Sequence, residues 1–565
     1  MTYAVGDALL ERRVWMVPGA NTTCVRWRLL RASGRATLAV KSLVNHRDYH
    51  ATTRAGDWRM EVVRVDDGIR VTAFDGARPL ALLARGAQAE PAHSWYRDFD
   101  LVEERARGLD HVEDHLHAAT FRAELAPGAE LTLIVSAEPA PTIDGAGAWR
   151  ARVAHDTATL TRWRRARPDA SSAPRWISQL VLAADQFVVR RPTPDDAGGA
   201  TVIAGYHWFG DWGRDTMIAL AGLTLETGRP EIARKVLTTF ARFVDRGMLP
   251  NRFPDASDVP EYNTVDATLW YVEAIRAYHA ATGDDGLLKE LYPTLCSIVE
   301  CHRDGTRYGI RRDPADGLLA AGESGVQLTW MDARVGDWVV TPRIGKPIEI
   351  NALWYNALRS MAEFARRLRE PAHELDRMAE QAAASFERFW CARDGWCFDV
   401  IDGPDGDDAT LRPNQIFAVS LPYGALSPAR RRAVVDVCAR HLVTPYGLRS
   451  LAPFDTRYVG HYGGPPQARD AGYHQGAAWG WLLGPFALAH CNAYGDAVRA
   501  RAFLEPLAGH LTDHGLGSIA ELFEGDALFR PDGCIAQAWS VAETLRAWQS
   551  LATAGRASSP PTAVS

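Results

Sequence analysis

Apolar and polar residues alternate with a period of two over the first 145 residues, then shift to a helical period for most of the chain. Val25, Trp27 and Leu29 alternate with Arg26 and Arg28, the pattern of a half-buried strand. Val63 and Val65 are separated from Ile69 and Val71 by Asp67-Gly68, a hairpin signal. Leu131, Leu133 and Val135 continue the pattern late in the region. Ala8 to Met16 reads as a strand that begins almost at the first residue. Strands of this kind between turn residues predict an antiparallel β-sandwich over residues 1–145.

Residues 148–166 read as an Arg-rich helix, and PDASSAP (168–174) supplies Pro and Ser punctuation, so 146–174 is taken as linker helix and linker. Beyond it, Val265, Leu269, Val272 and Ile275 fall on one helical face. Residues 230–247, 285–304, 350–368, 373–390 and 428–441 behave alike. About twelve helices fit between 175 and 552, joined by long loops rich in aromatics, Gly and Pro. Twelve suit six inner and six outer members of an (α/α)6 barrel over 175–553, with the loops building a pocket at one end. The expected class is mainly α. No short repeat is visible, which excludes a solenoid. The Ser/Pro-rich tail, 554–565, is expected to be disordered.

Composition narrows the partners. The 565 residues are 47% hydrophobic and 23% charged with a formal net charge of −6, which argues against nucleic acid or an anionic membrane. The start has no signal-type apolar core and no 18-residue apolar run occurs, so a soluble, cytoplasmic protein is expected. Eight cysteines, at 24, 296, 301, 391, 397, 438, 491 and 534, form no CxxC pair and no Cys/His cluster of zinc spacing. They read as free thiols of a reducing compartment, and no metal or cofactor is expected. Nineteen Trp suit sugar stacking, although most will be core.

Four segments carry chemistry. GYHWFGDWGRDT (Gly205 to Thr216) sets Trp208, Phe209 and Trp212 beside Asp211, Arg214 and Asp215, just before a helix. A pyranose offers a C–H face to a ring and hydroxyls to carboxylates and guanidinium. ESGVQLTWMDARVGDW (Glu323 to Trp338) places Asp332 after Trp330 and Met331, where desolvation raises a carboxyl pKa and suits a general acid. DAGYHQGAAWGWLLGPF (Asp470 to Phe486) holds His474, Gln475, Trp479 and Trp481, and GLGSIAELFEGD (Gly515 to Asp526) holds Glu521, Glu524 and Asp526. Hydrolysing an acetal without metal takes one carboxylic acid and one carboxylate on opposite ring faces. Each segment alone also fits a bland role. Arg214 with Asp215, or Asn263 with Asp266, can cap helices; His474 can be a core histidine at a helix start; Glu521 can be a surface carboxylate.

In order, HWFGDWGRDT, YNTVDATLW, QLTWMDARVGDW, TPRIGKPIEINALWYNAL, RPNQIFAVSLP, YHQGAAWGWLLGPF, GSIAELFEGD and CIAQAWSVAETLR closely resemble the amylo-α-1,6-glucosidase domain of glycogen debranching enzymes in the bacterial and archaeal form. The resemblance runs from about residue 175 to 552. LLERRVWMVPGANTTCVRWRLL resembles the later part of that family's N-terminal sandwich. Members usually carry several tens of residues before this point, so a sandwich shortened at its N-terminus is expected. The resemblance implies a glucoamylase-like barrel and an inverting mechanism. It makes Asp332 the general acid and Glu521 the general base, with Glu524 as the competing base. Trp212, Arg214 and Asp215 would hold the terminal glucose. Asp266, Trp330, Glu349, Asn351, Trp354, Asn414, Gln415, His474, Gln475 and Trp479 would complete the pocket. The implied partner is glycogen or a branched α-glucan oligosaccharide, and the implied reaction is removal of α-1,6-linked glucose. An exo-α-1,4-glucosidase of glucoamylase type, a glycoside phosphorylase and a non-catalytic glycan-binding protein remain as alternatives. No strand–helix alternation for a glucanotransferase barrel is present.

Overall fold

The structure, a computed structural model, describes residues 1–192, 198–254 and 259–557. The end of the predicted tail, 558–565, lies outside the described residues, while its first positions belong to the closing helix, Ala538–Ala557. At 40% helix and 24% strand the chain is mixed rather than mainly α. The reason is that many expected loops form short strand pairs. The chain divides into two compact units, Met1–Thr159 and Leu160–Ser565, and the division falls within the helix Gly145–Ala166.

The first unit holds two antiparallel sheets. One orders its strands Thr2–Val5, Ala8–Met16, Thr22–Arg31, Glu130–Ser136, Leu80–Leu83, Gly68–Thr72 and Glu61–Val65; the other orders Ala36–Val44, Val112–Leu125 and Gln88–Asp100. Leu29, Ile69, Val71, Leu131 and Leu133 of the first share one core with Val44, Leu116 and Phe121 of the second. Strand alternation sends Cys24 to the opposite face, where it packs with Trp15, Ile134 and Trp149. The 61–72 hairpin pairs Val65 with Gly68, so its turn is Asp66-Asp67 and not Asp67-Gly68. Gly68 instead permits a close strand approach, since a Cβ there would sit 2.0 Å from the Leu82 carbonyl oxygen of the neighbouring strand. Asp67 carries the turn's positive φ of 60°.

In the second unit, six helices form a closed ring: Gly213–Leu220, Asp266–Thr282, Ile348–Leu368, Phe417–Ser420, Leu483–Tyr494 and Ala538–Ala557. Each packs on the next and the last packs on the first. Such a helix is apolar nearly all round because neighbours cover it. Asp266–Thr282 buries Leu269, Trp270, Tyr271, Val272, Ala274 and Ile275 in succession. Outer helices are amphipathic instead. Asp285–Asp304 buries Leu287, Leu288, Leu291, Leu295 and Ile298 while Asp284 accepts a hydrogen bond from the Leu287 N–H as its N-cap. Pro230–Ala241 stops short of the predicted 247; a turn follows, and Arg246 and Gly247 adopt positive φ with Gly247 against Cys301.

Two small antiparallel sheets stand at the N-terminal ends of the ring helices. Ala200–Tyr206 pairs with Phe209–Trp212 and Ala536–Gln537, and Phe209–Trp212 pairs with Arg252–Phe253. The second sheet orders Leu448–Arg449, Ala478–Trp479, Leu522–Phe523 and Pro531–Asp532. All eight cysteines are free, and no described helix is long and apolar enough to cross a membrane.

Candidate active site

Three ring helices begin on residues whose side chains provide no cap: Trp212, Val265 and Pro347. Their dipoles favour negative charge in the first turn. Asp215, Asp266 and Glu349 occupy those positions, all three buried.

Arg214 is the hub. Its Nε donates to both oxygens of Asp266 at 2.8 Å, its Nη1 to Oδ2 of Asp332 at 2.8 Å and its Nη2 to the Thr264 hydroxyl at 3.4 Å. The Thr264 hydroxyl in turn donates to Asp266 at 2.7 Å. All three donor groups of Arg214 therefore serve this chain's own atoms. Asp332 differs from the rest of the cluster in reach: 26% of its side chain is exposed, against 1% for Asp266. Burial nevertheless raises the Asp332 carboxyl above the usual aspartate range, with the Arg214 charge opposing the rise.

Asp215 follows Arg214 and accepts from Gln537 Nε2 at 3.4 Å. Burial pushes it up to about 8, the Arg214 charge works against the rise, and the carboxylates of Asp332 and Glu521 add to it. Asp215 thus feels both acids from chain segments nearly two hundred positions apart. Tyr473 does too: burial first, then Glu521, with Asp332 among the further causes, keeps its phenol protonated. Its hydroxyl donates to Glu521 Oε1, and the Cys534 N–H donates to Oε2 at 2.8 Å. Donors meet both oxygens, which suits a carboxylate, since that form only accepts. Gly533 completes the seat, for a Cβ there would lie 2.4 Å from Glu521 Oε2.

Glu524 does not lie one helical turn from Glu521, because the segment is the strand Leu522–Phe523. It pairs instead with the exposed His461 at 2.6 Å. His474 sits in the turn after the short helix Pro466–Gly472, not at a helix start. It stacks on Trp479 at 5.0 Å, accepts from the Ala333 N–H at 3.4 Å, and burial holds it well below the usual histidine range, hence neutral.

Behind Asp332, Trp330 is clasped edge-on by His474, Trp479 and Trp481 and donates its indole N–H to Asn414 at 2.7 Å. Asn414 donates to Asp399 at 2.7 Å, and Arg343 bridges Asp399 and Glu349. Gln475 accepts from Arg412 at 2.9 Å, and Gln415 accepts from the Cys397 N–H at 3.1 Å. Asn351 bonds the backbone of Leu319 and Pro347, and the Trp354 N–H reaches the Gly317 carbonyl at 3.2 Å. Glu349, Asn351, Trp354, Asn414, Gln415 and Gln475 are thus wired into the scaffold, while Trp212 is partly exposed with Arg252 at 5.4 Å from its ring.

Sequence reasoning missed Thr264, Arg343, Asp399, Arg412, Tyr473, Gly533 and Gln537. Tyr473 stands next to His474 in a motif already singled out. Thr264, Arg343, Arg412 and Gln537 also lie within the motifs quoted above, whereas Asp399 and Gly533 lie outside them. Among the described residues, no group of three His, Cys, Asp or Glu is arranged to hold a metal.

Residues 182–546 match a family model described as amylo-alpha-1,6-glucosidase, and residues 1–132 match one described as glycogen debranching enzyme N terminal. The glycogen debranching enzyme of Saccharomyces cerevisiae is 25% identical over 365 residues, covering 49% of this chain and 24% of the yeast enzyme. The chain thus spans about a quarter of the length of the curated relative it matches. Similar solved structures include the GH63 mannosylglycerate hydrolase of Thermus thermophilus in complex with Tris and D-glycerate. It has 14% identity and a TM-score of 0.49, covering 66% of this chain and 99% of that chain. An uncharacterized conserved protein of the same organism has 16% identity, a TM-score of 0.49 and the same coverage.

Proposed function

The chain belongs to the amylo-alpha-1,6-glucosidase family of glycoside hydrolases, and on that premise we propose that it removes α-1,6-linked glucose from a branched α-glucan with inversion. We read the ring of helices as an (α/α)6 barrel whose N-terminal end is the sugar pocket. The observation that supports the reading is a set of contacts around the buried Asp215. Arg214, its neighbour in the same helical turn, donates to Asp332, and Tyr473, whose phenol feels both acids, donates to Glu521.

In the proposed reaction, Asp332 donates its proton to the glycosidic oxygen as the bond from that oxygen to the anomeric carbon breaks. Glu521 takes a proton from a water whose oxygen bonds the same carbon from the opposite face. Asp332 ends as carboxylate and Glu521 as carboxylic acid, and solvent restores both. Inversion places the two carboxyl groups about 6.5–9.5 Å apart to admit the water. Asp215, neutral below about pH 8, donates a hydrogen bond to a hydroxyl of the bound glucose. Trp212 offers a face for stacking. Arg214 holds Asp332 and Asp266 while the pocket is empty, and sugar hydroxyls compete for its Nη groups.

Phosphorylase-limit glycogen, with proton NMR following the first glucose released, tests the proposal. β-Glucose is expected. α-Glucose would reject the Asp332/Glu521 assignment, and faster release from linear maltodextrin would reject the α-1,6 preference.

A further inference from the structure

The ring helices line a second space, partly open to solvent, that the proposed reaction does not use. Asp215 and Asp266 lie at the N-terminal ends of their helices. The chamber is lined from Trp270 and Glu273 to Ala281 on one helix and from Glu543 to Thr553 on another. At about 1.5 Å per residue the lining begins about 3 Å along from Asp215, at Met217, and about 6 Å from Asp266, at Trp270, and it runs to about 22 Å from Asp266, at Ala281. Its volume is about 550 Å³, within the range of small-molecule sites.

The walls hold three carboxylate–guanidinium pairs. Arg276 donates through Nε and Nη2 to Glu273, Arg546 through the same atoms to Glu543, and Arg167 pairs with Glu226. Three positive and three negative groups cancel, so the chamber attracts neither anion nor cation. Two of the pairs still keep hydrogen-bonding capacity, because Nη1 of Arg276 and of Arg546 has no partner among the described residues. Trp270 adds an apolar wall, edge-on to Phe417 at 5.6 Å. It is 92% buried, and its indole N–H, which bonds no group among the described residues, stays open to solvent and free to donate to a guest. Burial pushes Glu226 up to about 7, so its carboxyl can accept from a hydroxyl or donate to one.

We propose that this chamber is a second binding site for a small neutral carbohydrate, a mono- or disaccharide, stacked on Trp270 and bonded to the Arg276–Glu273 and Arg546–Glu543 pairs. The proposal does not depend on the reaction assigned to Asp332 and Glu521.

Calorimetric titration of the full chain with glucose, beside inorganic phosphate as control, tests it. Wild type should bind glucose at two sites. Ala277→Phe, which fills the chamber, should weaken one of them at least tenfold with an unchanged melting temperature, and glucose release from glucan should persist. Should Ala277→Phe melt early, Ser550→Phe at the opposite wall takes its place, and a glucose-soaked crystal of wild type should show sugar against Trp270. Glucose binding unmoved by either substitution, phosphate binding in its place, or water alone in the soaked chamber would overturn the proposal. Loss of turnover with chamber binding intact would strike the proposed reaction and leave this site standing.

Discussion

The buried Asp215 and the partly exposed Asp332 both feel the Arg214 charge, yet they differ in what loss of the proton means. In the proposed reaction the Asp332 proton is the reagent, so Asp332→Asn should lower kcat by about 10²–10⁴ while leaving glucose affinity within a fewfold of wild type. Single-turnover release measured beside glucose binding checks this, and retained turnover would remove the residue from the mechanism. For Asp215 the proton is a structural matter as well. The folded protein keeps it up to about pH 8, whereas an unfolded aspartate releases it near 3.8. Between those values the native state binds more protons, so stability falls as pH rises through the window and levels off above it. Asp215→Asn removes that dependence. Its melting temperature should therefore drop less than that of wild type between about pH 5 and pH 8, and KM of wild type should climb above about pH 8 as the donated hydrogen bond is lost. Parallel melting curves for the two proteins would rule out a neutral Asp215. The sequence made both residues visible because each stands beside Trp in a polar-aromatic segment. It hid the Arg214–Asp332 pair, since nothing in spacing foretells an ion pair across 118 positions.

Two-residue strands position the candidate base. Trp479 pairs with Leu522 in register, which draws the Tyr473–Trp479 segment alongside Glu521, and Leu522 pairs with Asp532, which brings Cys534 and its N–H beneath the carboxylate. Gly533, at φ +67°, makes the approach possible, because any Cβ would meet Glu521 Oε2 at 2.4 Å. The crowding atom is the end of a movable side chain, so Gly533→Ala should shift Glu521 rather than unfold the sheet. We expect kcat to fall at least tenfold, KM to change little, and stability to drop by about 1–2 kcal/mol from the positive φ. Gly533→Asn tolerates that backbone better but keeps the Cβ, so it should recover stability without recovering kcat. Recovery of both would mean that backbone strain alone was at issue. These strands were unreadable in advance, because two residues are too few for alternation to register. The long ring and outer helices were readable for the opposite reason, since a face repeated over several turns averages out single exceptions such as Pro293 inside Asp285–Asp304.

Closing a ring of helices demands that the last helix fit between the first and the fifth. Ala538–Ala557 does so against two glycines. A Cβ on Gly222, in the π-helical turn Ala221–Leu225, would lie 1.9 Å from the Ala542 carbonyl oxygen. A Cβ on Gly484, in Leu483–Tyr494, would lie 2.4 Å from that of Glu543. Glycine within a helix reads as weakness when taken alone, which is why neither position stood out in the sequence. Here each leaves room for a backbone-to-backbone contact, and successive carbonyls of one helix meet the two neighbours. The obstruction is main chain on a buried helix, so it cannot swing aside as a side chain would. Gly222→Ala and Gly484→Ala should each cost at least the roughly 1–3 kcal/mol typical of overpacking, and the double variant should lose more than the sum because both push the same helix. Heat or urea unfolding of the single and double variants measures this. If the ring closes through these contacts, the pH profile of whatever activity remains in Gly222→Ala should match wild type, because the proposed reaction places Asp332, Asp215 and Glu521 at the N-terminal end of the ring, whereas Gly222 lies beyond the C-terminal end of Gly213–Leu220. Additive losses would instead mean that the two seams yield separately and that closure is not a single cooperative event.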